Sequence, residues 1–257
     1  MNRYIDRRVL ITGGGSGIGQ ATVHRILAEG GRVHTVDVNE AGLKATMEQA
    51  AADGVAAGRL TTALLDISDE GAVKEGVAAA VDALGGIDVL VNAAGILRSE
   101  HTHKTTLDLW NKVIAVNLTG TFLMIRESLP ALLAGDKPVV VNFSSTSAAF
   151  AHPYMSAYAA SKGGIQSMSH GLAAEYSKQG LRVVCVAPGS IESGMTTGNG
   201  PGLPEDTDWS LFAKLAPALG QGFAGPQTVA GVVAMLGSED GAFITGTEIR
   251  IDGGTHY

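Results

Sequence analysis

The sequence predicts an α/β fold: one domain, residues 1–257, on a doubly wound, parallel seven-stranded sheet with helices on both faces. Three observations carry this. Short β-branched runs alternate with longer Ala/Leu-rich stretches along the whole chain. The runs are apolar almost throughout, as strands buried on both faces must be. A glycine-rich turn joins the first run to the first helical stretch, the usual start of a right-handed strand–helix–strand crossover.

The apolar runs are "RVLIT" (8–12), "RVHTVD" (32–37), "RLTTALLD" (59–66), "IDVLVNAAG" (87–95), "PVVVNFSS" (138–145), "LRVVCVAPG" (181–189) and "TEIRID" (247–252). Helix-like stretches fall between them at 17–29, 40–53, 69–84, 106–134, 156–179 and 226–237. No break in composition marks a second domain, and no repeat is visible. The one long irregular segment, "GSIESGMTTGNGPGLPEDTD" (189–208), is rich in Gly and Pro. A loop of that length in a compact domain is usually functional.

Composition narrows the classes. Apolar residues make up 45% of the chain, enough for a large core. The net charge of −7, with no basic block, argues against nucleic acid or an anionic membrane surface as partner. No stretch approaches the length of a membrane span, and the charged N-terminus lacks the apolar core of a signal peptide. A cytoplasmic protein is the expectation. The single cysteine, Cys185, lies in a strand-like run and reads as core rather than as a reactive thiol.

In "VLITGGGSGIGQA", Gly13, Gly17 and Gly19 have the spacing G-x-x-x-G-x-G. Such a turn lets backbone approach a pyrophosphate, and the new helix offers its free N–H groups to the anion. There is no Gly-Lys-Ser/Thr, which disfavours an ATP loop. Asp37 ends the second run about 20 residues on, where a carboxylate accepts from both hydroxyls of an adenosine ribose and repels a 2′-phosphate. No Lys or Arg stands at 38–39 to reverse this. NAD(H) is therefore favoured over NADP(H). The plainer alternative is that Asp37 only caps the strand–helix turn.

"YMSAYAASK" (154–162) holds two tyrosines, but only Tyr158 has a lysine, Lys162, one helical turn ahead. A free phenol titrates near ~10. A nearby ammonium favours the phenolate and brings proton transfer within reach. Tyr154, one turn before Tyr158, reads as packing or substrate wall. Ser145 ends the run "VVVNFSS" at the edge where open α/β sheets bind ligands, and it can donate to a substrate oxygen. Ser144 is its rival, pointing to the other side of the strand.

With these pieces in view the chain resembles the short-chain dehydrogenase/reductase family, in its compact branch of about 250 residues. The matching pieces are "TGGGSGIG" (12–19), Asp66, "NAAG" (92–95), Asn117, Ser145, Tyr158, Lys162, "PGSIES" (188–193) and "ITGTEIRIDGG" (244–254). The resemblance implies a Rossmann fold and a catalytic set of Asn117, Ser145, Tyr158 and Lys162. Tyr158 is then the general acid/base, Lys162 lowers its pKa and holds the nicotinamide ribose, Ser145 binds the substrate oxygen, and Asn117 helps hold a relay water. The cofactor residues it implies begin in the first turn with Gly13, Ser16, Gly17, Ile18 and Gly19. Asp66 and Ile67 meet the adenine, while Asn92, Ala93, Ala94 and Gly95 line the cofactor and brace the sheet. Pro188, Gly189, Ile191 and Ser193 follow at the nicotinamide side. Ser193 replaces a Thr frequent in the family, keeping the hydroxyl. Ala148–Ala149 replace a usual Gly.

The 189–215 segment is expected to act as a lid, with Met195, Trp209, Leu211 and Phe212 excluding water. Leu97, Ser147, His152, Tyr154 and Met195 are the expected substrate contacts, with Phe150 and Pro153 on the same wall. These suit an apolar or mixed secondary alcohol or ketone as substrate. His101 and His103 read as solvated, and no metal is expected. The resemblance also implies a homotetramer, its C-terminal segment meeting another subunit. The expected activity is NAD(H)-dependent interconversion of a secondary alcohol and a ketone. The alternatives are an NADPH-dependent carbonyl (3-oxoacyl-type) reductase and a non-catalytic dinucleotide-binding regulator. A sugar-nucleotide epimerase would need an appended substrate domain.

Overall fold

The computed structural model describes residues 2–196, 202–220 and 222–256. Seven strands form one parallel sheet: β1 (Arg8–Thr12), β2 (Arg32–Asp37), β3 (Leu60–Leu64), β4 (Val89–Asn92), β5 (Val139–Phe143), β6 (Arg182–Pro188) and β7 (Glu248–Ile251). Their spatial order is β3-β2-β1-β4-β5-β6-β7. The order reverses between β1 and β4, and at such a switch point the strand ends open a crevice for ligands.

Alternation along each strand supplies two apolar cores. Val9 and Ile11 of β1 pack on one face with Val23 and Ile26 of α1 (Gly17–Ala28) and Val229 and Val233 of α7 (Pro226–Leu236). Leu10 packs on the other with Val73 and Val77 of α3 (Glu70–Leu84) and Met124 of α5 (Gly120–Leu133). All three β1 residues are fully buried, which is why the run shows no polar alternation. Side-chain caps start the helices on the strand-end side. Asn39 accepts from Gly42 N at α2 (Glu40–Ala52), and Asp69 accepts from Ala72 N at α3.

The stretch 106–134 is interrupted. It forms α4 (Leu107–Ile114), a wide π-helical turn at Ala115–Thr119, then α5. α6 (Ser156–Glu175) is followed by a tight turn at Ser177–Gln179, so the helix ends earlier than the apolar pattern. The runs at 59–66, 87–95 and 138–145 also pair for less of their length. Their last residues leave the sheet and turn over the crevice.

Candidate active site

A cleft of about 1220 Å³ opens along the carboxyl ends of the strands. Sheet order sets its layout, from Asp66 and Asp37 after β3 and at the end of β2, across the β1 turn and the residues following β4, to Ser145 and Pro188 beside β5 and β6. The β1 turn fits an anion. Gly13 has φ +79°, and a Cβ there would stand 2.8 Å from Ala94 N; one at Gly19 would overlap the Gly13 carbonyl. Ser16 precedes α1 in extended backbone and makes no side-chain cap, which leaves the first N–H groups of the helix to a ligand.

Asp37 carries two jobs. Its Oδ2 accepts from Gly15 N and its Oδ1 from Asn39 N, both at 2.9 Å, and the residue also lines the cleft. The turn-capping alternative is thus realised together with the position expected of a ribose ligand.

At the other end, α6 puts Tyr158 and Lys162 on one wall with Ser145. Lys162 Nζ donates to the Phe143 carbonyl at 2.7 Å and lies 5.6 Å from the centre of the Tyr158 ring. Burial pushes the Lys162 ammonium down to about 8. Burial also pushes the Tyr158 phenol up, against the hydrogen bond with Ser145. Ser145 Oγ accepts from Ser147 N at 3.1 Å, whereas Ser144 Oγ donates to Glu248 Oε2 on β7. The neighbouring serines are therefore held differently, Ser144 tied to β7 and Ser145 to its own turn with its hydroxyl acting on the Tyr158 phenol.

Asn117 is fully buried in the π-helical turn. Its Oδ1 accepts from Ile96 N at 2.8 Å, and its Nδ2 donates to Ile96 O at 2.9 Å and Ser161 Oγ at 3.0 Å. It clamps the segment after β4 to α6 and does not itself line the cleft. Asn92 does not line it either; its Nδ2 donates to Asn142 Oδ1 at 2.9 Å inside the sheet. Gly13, Ser16, Gly17, Ile18, Gly19, Asp66 and Ile67 all line the cleft, as do Ala93, Ala94 and Gly95. So do Pro188, Gly189, Ile191 and Ser193 on the β6 side, with Leu97, His152 and Met195 among the expected substrate contacts.

Two of those contacts sit elsewhere. Ser147 is buried behind Ser145. Tyr154 precedes α6 with φ +65°, off the helix, so the i to i+4 relation to Tyr158 does not hold there. Its hydroxyl accepts from Asp208 N at 3.0 Å, and its ring stacks near Phe212 and meets His101 edge-on. His101 differs from the solvated reading as well: its Nε2 stands 2.8 Å from Asp206 Oδ1.

Sequence reasoning missed several contributors. Lys112 and Val116 line the cleft from the α4 side, and Thr255 reaches it from the C-terminal segment. No local motif announces them; they arrive through packing.

The family described as short chain dehydrogenase matches residues 7–203 of this chain. The chain belongs to the short-chain dehydrogenase family. Levodione reductase from Leifsonia aquatica is 36% identical over 256 residues, covering 98% of this chain and 95% of that one. The crystal structure of a short chain dehydrogenase from Mycobacterium paratuberculosis bound to NAD superposes with a TM-score of 0.92 at 27% identity, covering 98% of both chains. One from Burkholderia cenocepacia in complex with NADP gives 0.86 at 30% identity, covering 99% of both. This short-chain dehydrogenase is thus an oxidoreductase with a nucleotide-binding Rossmann fold, and its relatives bind both forms of the dinucleotide. None of its described helices is long and apolar enough to cross a membrane.

Proposed function

We propose that this enzyme interconverts a secondary alcohol and a ketone by hydride transfer, using NAD(H), with Tyr158 as general acid/base. The carrying observation is the gathering of Ser145, Tyr158 and Lys162 on one wall of a cleft whose far end holds Asp37. When bound, the nicotinamide takes up or returns the hydride.

The β1 turn and the start of α1 hold the pyrophosphate, Asp37 accepts from the adenosine ribose, and Asp66 and Ile67 flank the adenine. Ser145 Oγ donates to the substrate oxygen and orients the carbinol toward Tyr158. The Tyr158 phenol takes the hydroxyl proton during oxidation and gives it back during reduction. The Lys162 ammonium stabilises the phenolate while its Phe143 bond keeps the amine in place. Asn117 holds the Gly95–Ile96 segment against α6, which keeps the floor of the site in register with Tyr158. The described part of the 189–215 segment serves as lid, with Trp209, Phe212 and Leu215 turned to the cleft.

The Asp37 charge favours NAD(H), since a 2′-phosphate would be set against a carboxylate already held by two N–H groups. The NADP complex of a relative supports the second reading, an NADPH-dependent carbonyl reductase. Apolar side chains exposed on α4 and α5, among them Leu107, Trp110 and Phe122, suit a homotetramer of a cytoplasmic enzyme. Fluorescence titration with NADH and NADPH, followed by a panel of secondary alcohols, tests the proposal. Tighter NADH binding with turnover supports it. Tighter NADPH binding moves the function to carbonyl reduction, and binding without turnover leaves a regulator.

A further inference from the structure

The substrate end of the cleft carries a hydrogen-bonding group that hydride transfer does not use. His152 lines the cleft, and its Nε2 lies 3.2 Å from Thr146 Oγ1. Its Nδ1 is neither paired nor sealed off among the described residues. The ring is braced from behind. His256, from the C-terminal segment, stands 5.8 Å away and stacks on Phe150 at 4.1 Å with the planes 1° apart. Arg250 closes the group, 5.3 Å from the Phe150 ring centre and donating to the His256 carbonyl. The imidazole thus has a hydroxyl at Nε2 and the His256–Phe150 stack beside its ring.

No carboxylate pairs with His152 among the described residues. Burial, reinforced by His256, pushes its pKa down to about 4, so the ring is neutral at physiological pH. A neutral imidazole with one nitrogen engaged presents a single donor or acceptor on the other, according to tautomer. Met155, Phe212 and Pro217 supply apolar surface to the same cleft. Among the described residues that line it, the charged side chains are Asp37, Asp66, Arg98, Lys112 and Lys162. An apolar substrate that displaces water here leaves Nδ1 unpaired, and a buried polar atom without a partner is costly. A substrate oxygen at that point removes the cost, and sites built this way discriminate against analogues that lack the oxygen.

We infer that His152 is a specificity-determining residue, and that the enzyme selects substrates bearing a second hydroxyl or carbonyl beside the reacting carbinol: diols, hydroxyketones or diones. This rests on the alcohol/ketone reading above. The substrate oxygen that reacts is held by Ser145 and Tyr158, and the second oxygen is held by His152. Hydroxylated and plain substrates differ at that one contact.

The test compares kcat/KM for cyclohexanol and vicinal cyclohexanediol with NAD in the wild type, His152→Leu and His152→Gln. An unchanged NADH titration in each variant reports an intact fold. The wild type is expected to favour the diol by about tenfold or more. The ratio should fall toward one in His152→Leu and be largely kept in His152→Gln, which retains a hydrogen-bonding group. A wild-type ratio near one, or a preference that survives in His152→Leu, overturns the inference while leaving the alcohol/ketone reading standing. Failure of the wild type to oxidise either alcohol overturns both.

Discussion

The Lys162 ammonium donates to the Phe143 carbonyl at 2.7 Å, tying α6 to the end of β5 beside the Tyr158 ring. That bond holds a buried cation in a place its own solvation disfavours. Burial lowers the Lys162 pKa to about 8 from an ordinary value of 10.5, so between these limits the unfolded chain binds more protons than the folded one. Stability contributed by this group therefore rises with pH across that window. Lys162→Met removes the cost, and its advantage over the wild type in thermal unfolding should be largest below about pH 8 and shrink toward 10.5. In the same variant the alkaline rise in alcohol oxidation should move to higher pH, because the phenolate loses its ammonium. Melting curves and a pH–rate profile check the two halves.

Tyr154 reaches the lid segment through one hydrogen bond, its hydroxyl accepting from Asp208 N. Tyr154→Phe keeps the ring that stacks near Phe212 and loses that bond. Steady-state kinetics should show KM rising by roughly threefold to tenfold, equivalent to about 1 kcal/mol, with kcat little changed. A large fall in kcat with constant KM would give Tyr154 a part in the chemistry.

Asp37→Asn keeps the shape of the group and removes its charge. The NADH-over-NADPH preference should narrow by about tenfold or more, chiefly through tighter NADPH binding, since one repelling charge is gone. Paired titrations measure it. An unchanged preference would leave Asp37 as a turn cap only.

At the amino ends of the central strands, away from the cleft, Asp88 accepts from the Arg8 guanidinium at 2.6 Å and from the backbone of Arg8 and Asp136. Burial alone would raise its pKa, but these donors outweigh it and hold the carboxyl below its ordinary 3.8. The stabilisation is present above 3.8 and is lost as pH falls through the lower folded value. Asp88→Asn should cost ~3 kcal/mol at neutral pH, and the gap from wild type should close in acid. Chemical denaturation at several pH values reads both.

Much of this was legible because the code is local. Strands buried on both faces are apolar throughout, as Val9, Leu10 and Ile11 show, and the β1 turn needs glycine where Gly13 meets Ala94. Tyr158 and Lys162 share a helix, so their spacing suffices to put them on one wall. What escaped depends on backbone that spacing does not encode. The left-handed Tyr154 lies outside α6 and faces the lid segment. The 106–134 stretch reads as one helix, yet a wide turn seats Asn117 against Ile96 and Ser161. Thr255 and His256 come to the substrate wall from the C-terminal segment.

The most direct measurement is alcohol oxidation by Tyr158→Phe at saturating NAD, set beside its NADH affinity. Turnover should fall by at least ~10²–10⁴-fold while the NADH dissociation constant stays within about twofold of wild type. Turnover near the wild-type rate would contradict Tyr158 as the proton-transfer group, and with it the account of Lys162.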